Sequence, residues 1–140
     1  MSLALNKDEL GEFLYEVFPQ VREDFASDAL SMEGVTMRLL TAERHLRPGG
    51  TVSGPSMFAL ADVAVYALVL SRVGRQALAV TTSCSLDFMR KPVAGVDMIA
   101  EGRLLKLGKL LAVGDVLLFS EGSDKPVARA TMTYAIPPAT

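Results

Sequence analysis

Sixteen residues, Pro55 to Leu70, read Pro-Ser-Met-Phe-Ala-Leu-Ala-Asp-Val-Ala-Val-Tyr-Ala-Leu-Val-Leu, and Asp62 is the only charge among them. No other charged residue stands between Arg47 and Arg72. A helix that is apolar on every side has to be wrapped by protein. This run is also too short, and too charged at its middle, for a membrane span, which wants roughly 20 apolar residues. The fold must therefore be built around it. Its carboxylate must be paired, protonated or put to use, because taking an ionised group out of water without partners costs on the order of several kcal/mol.

The helix has a clear start. Gly49-Gly50-Thr51-Val52-Ser53-Gly54-Pro55 is a glycine-rich turn in which Gly54 can cap and Pro55 takes the first helical position, where no donor is needed. This predicts a central helix over about 55–71, with Gly74 marking its exit.

A chain of 140 residues, half of them hydrophobic, suits one domain with a sizeable core. Trp is absent, so Leu, Val, Ala and Met must fill that core. The net charge of -2 and a pI near 5.4 give no basic face for nucleic acid. One cysteine, Cys84, excludes an internal disulfide and fits a reducing compartment. The N-terminus shows no basic region followed by an apolar core, so no signal peptide is expected. The expectation is a cytoplasmic protein without a membrane partner. Its excess of apolar surface is expected to be buried between subunits.

Along the chain, Asn6 and Glu9 form a capping-box pair, and Leu10, Phe13, Leu14, Val17 and Phe18 make one helical stripe, predicting a helix over about 6–18. Pro19 ends it or begins a short second one. Met32–Leu40 reads as a strand with a weak point at Gly34, and 41–51 as a loop. Four strands follow the central helix: Ala77–Met89, Asp97–Lys106, Lys109–Ser120 and Val127–Ile136, with Gly108 and Gly122 in the turns. In the first of these, Val80, Thr82, Cys84, Leu86 and Phe88 alternate against Thr81, Ser83, Ser85 and Asp87. The order predicts an α+β domain over 1–140, an antiparallel sheet curled around one long helix.

Three phrases carry a family resemblance: Pro48-Gly49-Gly50-Thr51-Val52-Ser53-Gly54-Pro55, then Leu60-Ala61-Asp62, then Leu86-Asp87-Phe88-Met89-Arg90-Lys91-Pro92. Together they resemble the hotdog-fold thioesterases of the phenylacetate-degradation type. Those proteins carry a His-Gly-Gly turn, an acid nine residues after that His, and a strand ending in a Phe-Leu-Arg-Pro-like phrase. Here Ser53 to Asp62 spans nine residues. The resemblance implies a hotdog fold, a long helix wrapped by five or six antiparallel strands, and hydrolysis of an acyl-CoA thioester. Asp62 takes the place of the nucleophile or general base, and the Gly54 N–H that of the oxyanion donor. Thr81 best matches the hydroxyl that holds the water or the acid. Ser53 stands where the family has His, Arg47 where it often has Asn or Gln, and Pro55 replaces the second Gly of the turn. Ser53, Arg47 and Pro55 are substrate-binding candidates, as are Arg90 and Lys91 for the phosphates of coenzyme A. Coenzyme A would enter as part of the substrate, with no resident cofactor and no metal. One His and one Cys in the whole chain already argue against a zinc site.

Geometry adds a constraint. Eight residues separate Gly54 from Asp62, about 12 Å along a helix rising roughly 1.5 Å per residue, so one helix cannot easily grip one carbonyl with both. In the family the glycine and the acid come from different subunits, which implies a dimer or a dimer of dimers. Bland readings stand beside these. Asp62 can be a buried structural carboxylate, Cys84 a small core residue on the Leu86 face, and His45 a loop histidine. Two other functions stay open: a non-catalytic acyl-thioester binding protein, motivated by Ser53 and Arg47, and a hotdog enoyl-thioester hydratase, which would need His45 at the site.

Overall fold

The computed structural model describes residues 2–19 and 22–138. Asn6 opens the first helix. Its side chain accepts the Glu9 N–H at 2.9 Å, while Glu9 accepts the Asn6 N–H at 3.1 Å. This reciprocal pair satisfies two amides that a first turn otherwise leaves bare. Helix α1 spans Lys7–Val17 and buries Leu10, Phe13 and Leu14 of the predicted stripe.

The next element departs from expectation. In place of one strand over Met32–Leu40 there is a hairpin, β1 Phe25–Ser31 and β2 Gly34–Leu39, with Ser31 opposite Gly34. The Phe-Ala-Ser-Asp-Ala-Leu-Ser of β1 hides its period because the register shifts between Ser27 and Ala29. Gly34 is no weak point; it starts β2 where a Cβ would collide with the Gly102 carbonyl of the neighbouring strand.

The central helix α2 spans Gly54–Val73, with Ser53 as its N-cap and Gly74 at its exit. The cap sits one residue earlier than the sequence suggests. At 20 residues α2 is long and apolar enough to cross a membrane by length and composition alone, but 67% of that window is buried in this fold. The remaining strands, β3 Val80–Phe88, β4 Met98–Leu107, β5 Leu111–Ser120 and β6 Ala128–Ala135, fall within three residues of their predicted bounds.

All six strands join in one antiparallel sheet of order β1-β2-β4-β5-β6-β3. Helix α2 lies on its inner face, chiefly over β4 with β2 and β5. It comes in close because Gly114 of β5 leaves the room: a Cβ there would stand 2.9 Å from Val65 Cγ1. Leu60, Leu68 and Leu70 of the helix meet Met37, Met98, Leu118 and Met132 of the sheet in a core from which water is excluded. Each such side chain contributes about 1.5–3 kcal/mol by leaving water. This is the expected α+β hotdog architecture.

Strand β3 forms one edge of the sheet and, among the described residues, pairs only with β6. It is a nine-residue edge without Pro or Lys, and seven of those nine residues are exposed. Native proteins usually blunt such an edge or pair it. Cys84, expected in the core, is exposed: α2 lies chiefly over β4, β2 and β5 and leaves the inner face of β3 largely uncovered.

Candidate active site

Two of the clefts beside α2 hold most of the sequence-predicted residues: Gly54, Arg47, Arg90 and Lys91 line one, Asp62 and Thr81 the other, and Ser53 and Pro55 line neither. The first forms at the helix N-terminus. The loop before it is tied by its backbone: Leu46 bridges Val52, Arg47 N–H donates to Thr51 O at 2.9 Å, and Ser53 N–H donates to His45 O at 2.8 Å. Four amides at a helix start lack intrahelical acceptors. Of these, the Ser53 N–H goes to His45 O, Ser53 Oγ takes that of Ser56 at 3.3 Å, and Pro55 has none to give; the Met57 N–H makes the first intrahelical bond, to Ser53 O at 3.0 Å. The Gly54 N–H is left with no acceptor among the described residues. It stands at the positive end of the helix dipole. A Cβ at Gly54 would lie 3.3 Å from the Phe88 ring, so the close packing of that ring keeps this position bare.

This cleft has a volume of about 460 Å³ and is lined by Gly54, Met57, Phe88 and Pro92 with Arg47, Arg90 and Lys91. It therefore carries three cations and no acid. Arg90 is anchored through its backbone N–H, 3.1 Å from Val127 O, while its side chain stays exposed. Ser53 Oγ is engaged in capping, also lying 3.0 Å from Ser56 Oγ, and Pro55 sits exposed on the first turn.

The second cleft, about 210 Å³, surrounds Asp62. Its walls are Val17, Phe18, Val63, Tyr66, Ala77, Ala79, Val80, Thr81 and Tyr134. The Thr81 hydroxyl donates to Asp62 Oδ1 at 2.5 Å. The Tyr134 hydroxyl lies 2.8 Å from the same oxygen and 3.0 Å from the Asp62 carbonyl. Both hydroxyls converge on Oδ1, and Oδ2 takes no hydrogen bond from the described residues. Two hydroxyls on one oxygen hold the carboxyl plane fixed and leave the other oxygen unbonded, in a residue that lines the cleft.

Strict alternation places Thr81 on the face opposite Cys84, Leu86 and Phe88. The structure corrects this. The register between β3 and β6 shifts between Thr81 and Ser83, so Thr81 pairs with Tyr134 and turns inward along with Cys84, which pairs with buried Met132. The bulge aims Thr81 at the acid, as bulges beside functional sites often do.

Tyr134 is a residue the sequence reading missed. It is only 3% exposed, and its ring stacks on Tyr66 with centroids 6.0 Å apart. Tyr66 in turn donates to Ala77 O at 2.8 Å. Burial first, then the Asp62 charge, holds the Tyr134 phenol far above its ordinary pKa, so it remains a proton donor. The available signal was its place in β6, on the inward parity with Met132 and Ala130: an inward tyrosine needs a partner for its hydroxyl.

Cys84 and His45 take no part in either lining. What burial Cys84 has, and then the nearby Asp62 charge, raises its thiol pKa, which disfavours a thiolate nucleophile. His45 is 6% exposed; Nδ1 accepts the Ala42 N–H at 2.8 Å, and Nε2 lies 3.1 Å from Asp24 Oδ1 but off the line of a hydrogen bond. It is a buried loop histidine whose backbone carbonyl ties down the start of α2.

A carboxylate fixed by two hydroxyls beside a long wrapped helix, with a free helix-terminal amide, defines the hotdog thioesterase class of the phenylacetate-degradation type. A sequence model of the thioesterase superfamily matches residues 49–127, more than half of the chain, and the protein belongs to that superfamily. Among solved structures, a protein from Silicibacter sp. TM1040 provisionally named a thioesterase is 67% identical, with 99% of this chain and 96% of that one covered and a TM-score of 0.93. A mutant form of the phenylacetic acid degradation protein PaaI from Thermus thermophilus is 28% identical, with 85% and 99% covered and a TM-score of 0.73. A hypothetical thioesterase protein with coenzyme A from Streptococcus pneumoniae shares the fold at 18% identity, with 83% and 90% covered and a TM-score of 0.71. A search of curated protein sequences matched none. Thioester hydrolysis is the chemistry this membership supports.

Proposed function

We propose that this protein hydrolyses acyl-CoA thioesters at a site completed by two copies of the chain. The observation that carries the reading is the Asp62 carboxylate, with Oδ1 held by Thr81 and Tyr134 and Oδ2 free in its cleft. Asp62 Oδ2 either takes a proton from a water that attacks the thioester carbonyl, or attacks the carbonyl itself and is freed by water afterwards. In both routes the carbon–sulfur bond breaks, coenzyme A leaves as the thiol and the acid as the carboxylate. Charge develops on the carbonyl oxygen, and an unengaged amide at a helix N-terminus suits it. The Gly54 amide of the same chain lies in a different cleft, so the amide of a second copy is assigned this role. The free edge of β3 offers the place for two copies to join.

Arg47, Arg90 and Lys91 gather around the Gly54 cleft, and such groups meet phosphates. The coenzyme A carried by the Streptococcus pneumoniae protein lends support to that substrate class. Ser53 positions Gly54 by capping, while Pro55 is exposed on the first turn outside the cleft lining. The hydratase reading loses support, because His45 faces Asp24 rather than Asp62. A free-thiol assay over a panel of acyl-CoAs tests the proposal. Thiol release that Asp62→Asn suppresses is the expected result; tight binding with every thioester recovered intact would make the protein a binder.

A further inference from the structure

The hairpin joining β4 to β5 reads Arg103-Leu104-Leu105-Lys106-Leu107-Gly108-Lys109-Leu110-Leu111: five leucines, three cations and no acid, in a chain of net charge -2. Gly108 N–H closes the turn on Leu111 O at 2.8 Å. Its backbone is tied to the end of β6, Ile136 N–H donating to Leu110 O at 2.8 Å, and Leu104 packs on the core, but the side chains beyond them are left uncovered by the described residues. Leu105, at a register shift in β4, is 53% exposed, and Leu110 at the apex is 62% exposed. Lys106 and Lys109 are exposed too, and none of the three cations forms an ion pair among the described residues. Arg103 faces Asp115 in the register, but that carboxylate is held by Arg129 and Thr131. The apolar surface continues across the sheet: half-exposed Leu111 pairs with Ala135, which pairs with exposed Val80.

Leucines interleaved with unpaired cations at an exposed turn select among occupants. A two-fold contact of this tip with its own copy would set the cations against one another. An anionic lipid surface accepts both features at once: leucine side chains enter the acyl boundary while the ammonium groups stay among the headgroups. We propose that the β4–β5 hairpin docks this protein on an anionic lipid surface. A central helix too short and too charged to span a bilayer argues against a membrane partner, but docking requires no span. The proposal stands apart from the catalytic one, though the two fit. Val80, in the wall of the Asp62 cleft, is two strands from Leu111, roughly 10 Å away, so a docked protein would hold that cleft beside the lipid.

Vesicle flotation tests it with the full-length protein, using phosphatidylcholine alone and phosphatidylcholine mixed with phosphatidylglycerol. Wild type is expected to float with the mixed vesicles, to stay behind with the neutral ones, and to detach as salt is raised. Lys106→Glu/Lys109→Glu is expected to lower partitioning at least ten-fold, since each lost cation alone accounts for roughly five-fold, and Leu105→Ser/Leu110→Ser likewise, since each CH₂ withdrawn from the acyl boundary accounts for roughly four-fold. Molar mass by light scattering and the circular dichroism spectrum should be unchanged in both. Equal or absent binding to the two vesicle types, or full binding by either variant, overturns the proposal. A folded leucine variant of altered molar mass also overturns it, making the tip a contact between copies.

Discussion

The two clefts beside α2 are opposites. At the Gly54 end the important group is a backbone amide, the walls carry cations, and the volume is about 460 Å³. At Asp62 the important groups are side chains, the walls are mostly apolar, and the volume is about 210 Å³. One cleft is suited to anionic phosphates and a developing oxyanion, the other to an acyl group and an activated water. Each lacks what the other holds. On a helix buried nearly all round the two stand about two turns apart, which is why the proposed site takes its halves from different copies.

Breaking the acid half should show the largest effect. Asp62→Asn keeps the shape and removes the base or nucleophile, so kcat should fall about 10²–10⁴-fold with the fold intact. Breaking the amide half should follow closely. Gly54→Val drives a side chain into Phe88 and displaces the amide, at a cost of about 10²–10³-fold in kcat, measured on the same acyl-CoA. Removing the hydroxyls that fix Asp62 should cost less. Thr81→Val and Tyr134→Phe each delete a bond to a charged group worth about 1.5–3 kcal/mol, and kcat should fall roughly ten- to a hundred-fold while KM moves little. On the cationic side, Arg90→Ala and Lys91→Ala should raise KM for acyl-CoA several-fold and leave KM for a short pantetheine thioester unchanged. The smallest effect is structural: Ser53→Ala loses the α2 cap, about 1 kcal/mol in denaturant unfolding.

What the sequence disclosed follows the same division. The wrapped helix was legible because an apolar run with one carboxylate allows few other placements. The four C-terminal strands were legible from their alternation and turns. The β1–β2 hairpin was not, since a polar edge strand with a register shift leaves no clean period of two. At the site, Asp62 and Gly54 stood out by isolation and by turn chemistry. Thr81 was named, but its orientation depends on a bulge that alternation cannot foresee. Tyr134 escaped notice because an inward tyrosine at the end of a strand looks like core until its hydroxyl is traced to Asp62. The hairpin residues Leu105 and Leu110 read as ordinary strand residues until the fold left them uncovered.

The central claim is that one copy's Asp62 works with another copy's Gly54 amide, and complementation tests it directly. Asp62→Asn and Gly54→Val chains, each inactive as a homo-oligomer, are co-expressed with different tags and purified as a random mixture. Mixed dimers carry one intact site out of two, so activity should recover to about a quarter of wild type. Activity no higher than the sum of the two inactive variants would contradict the shared site.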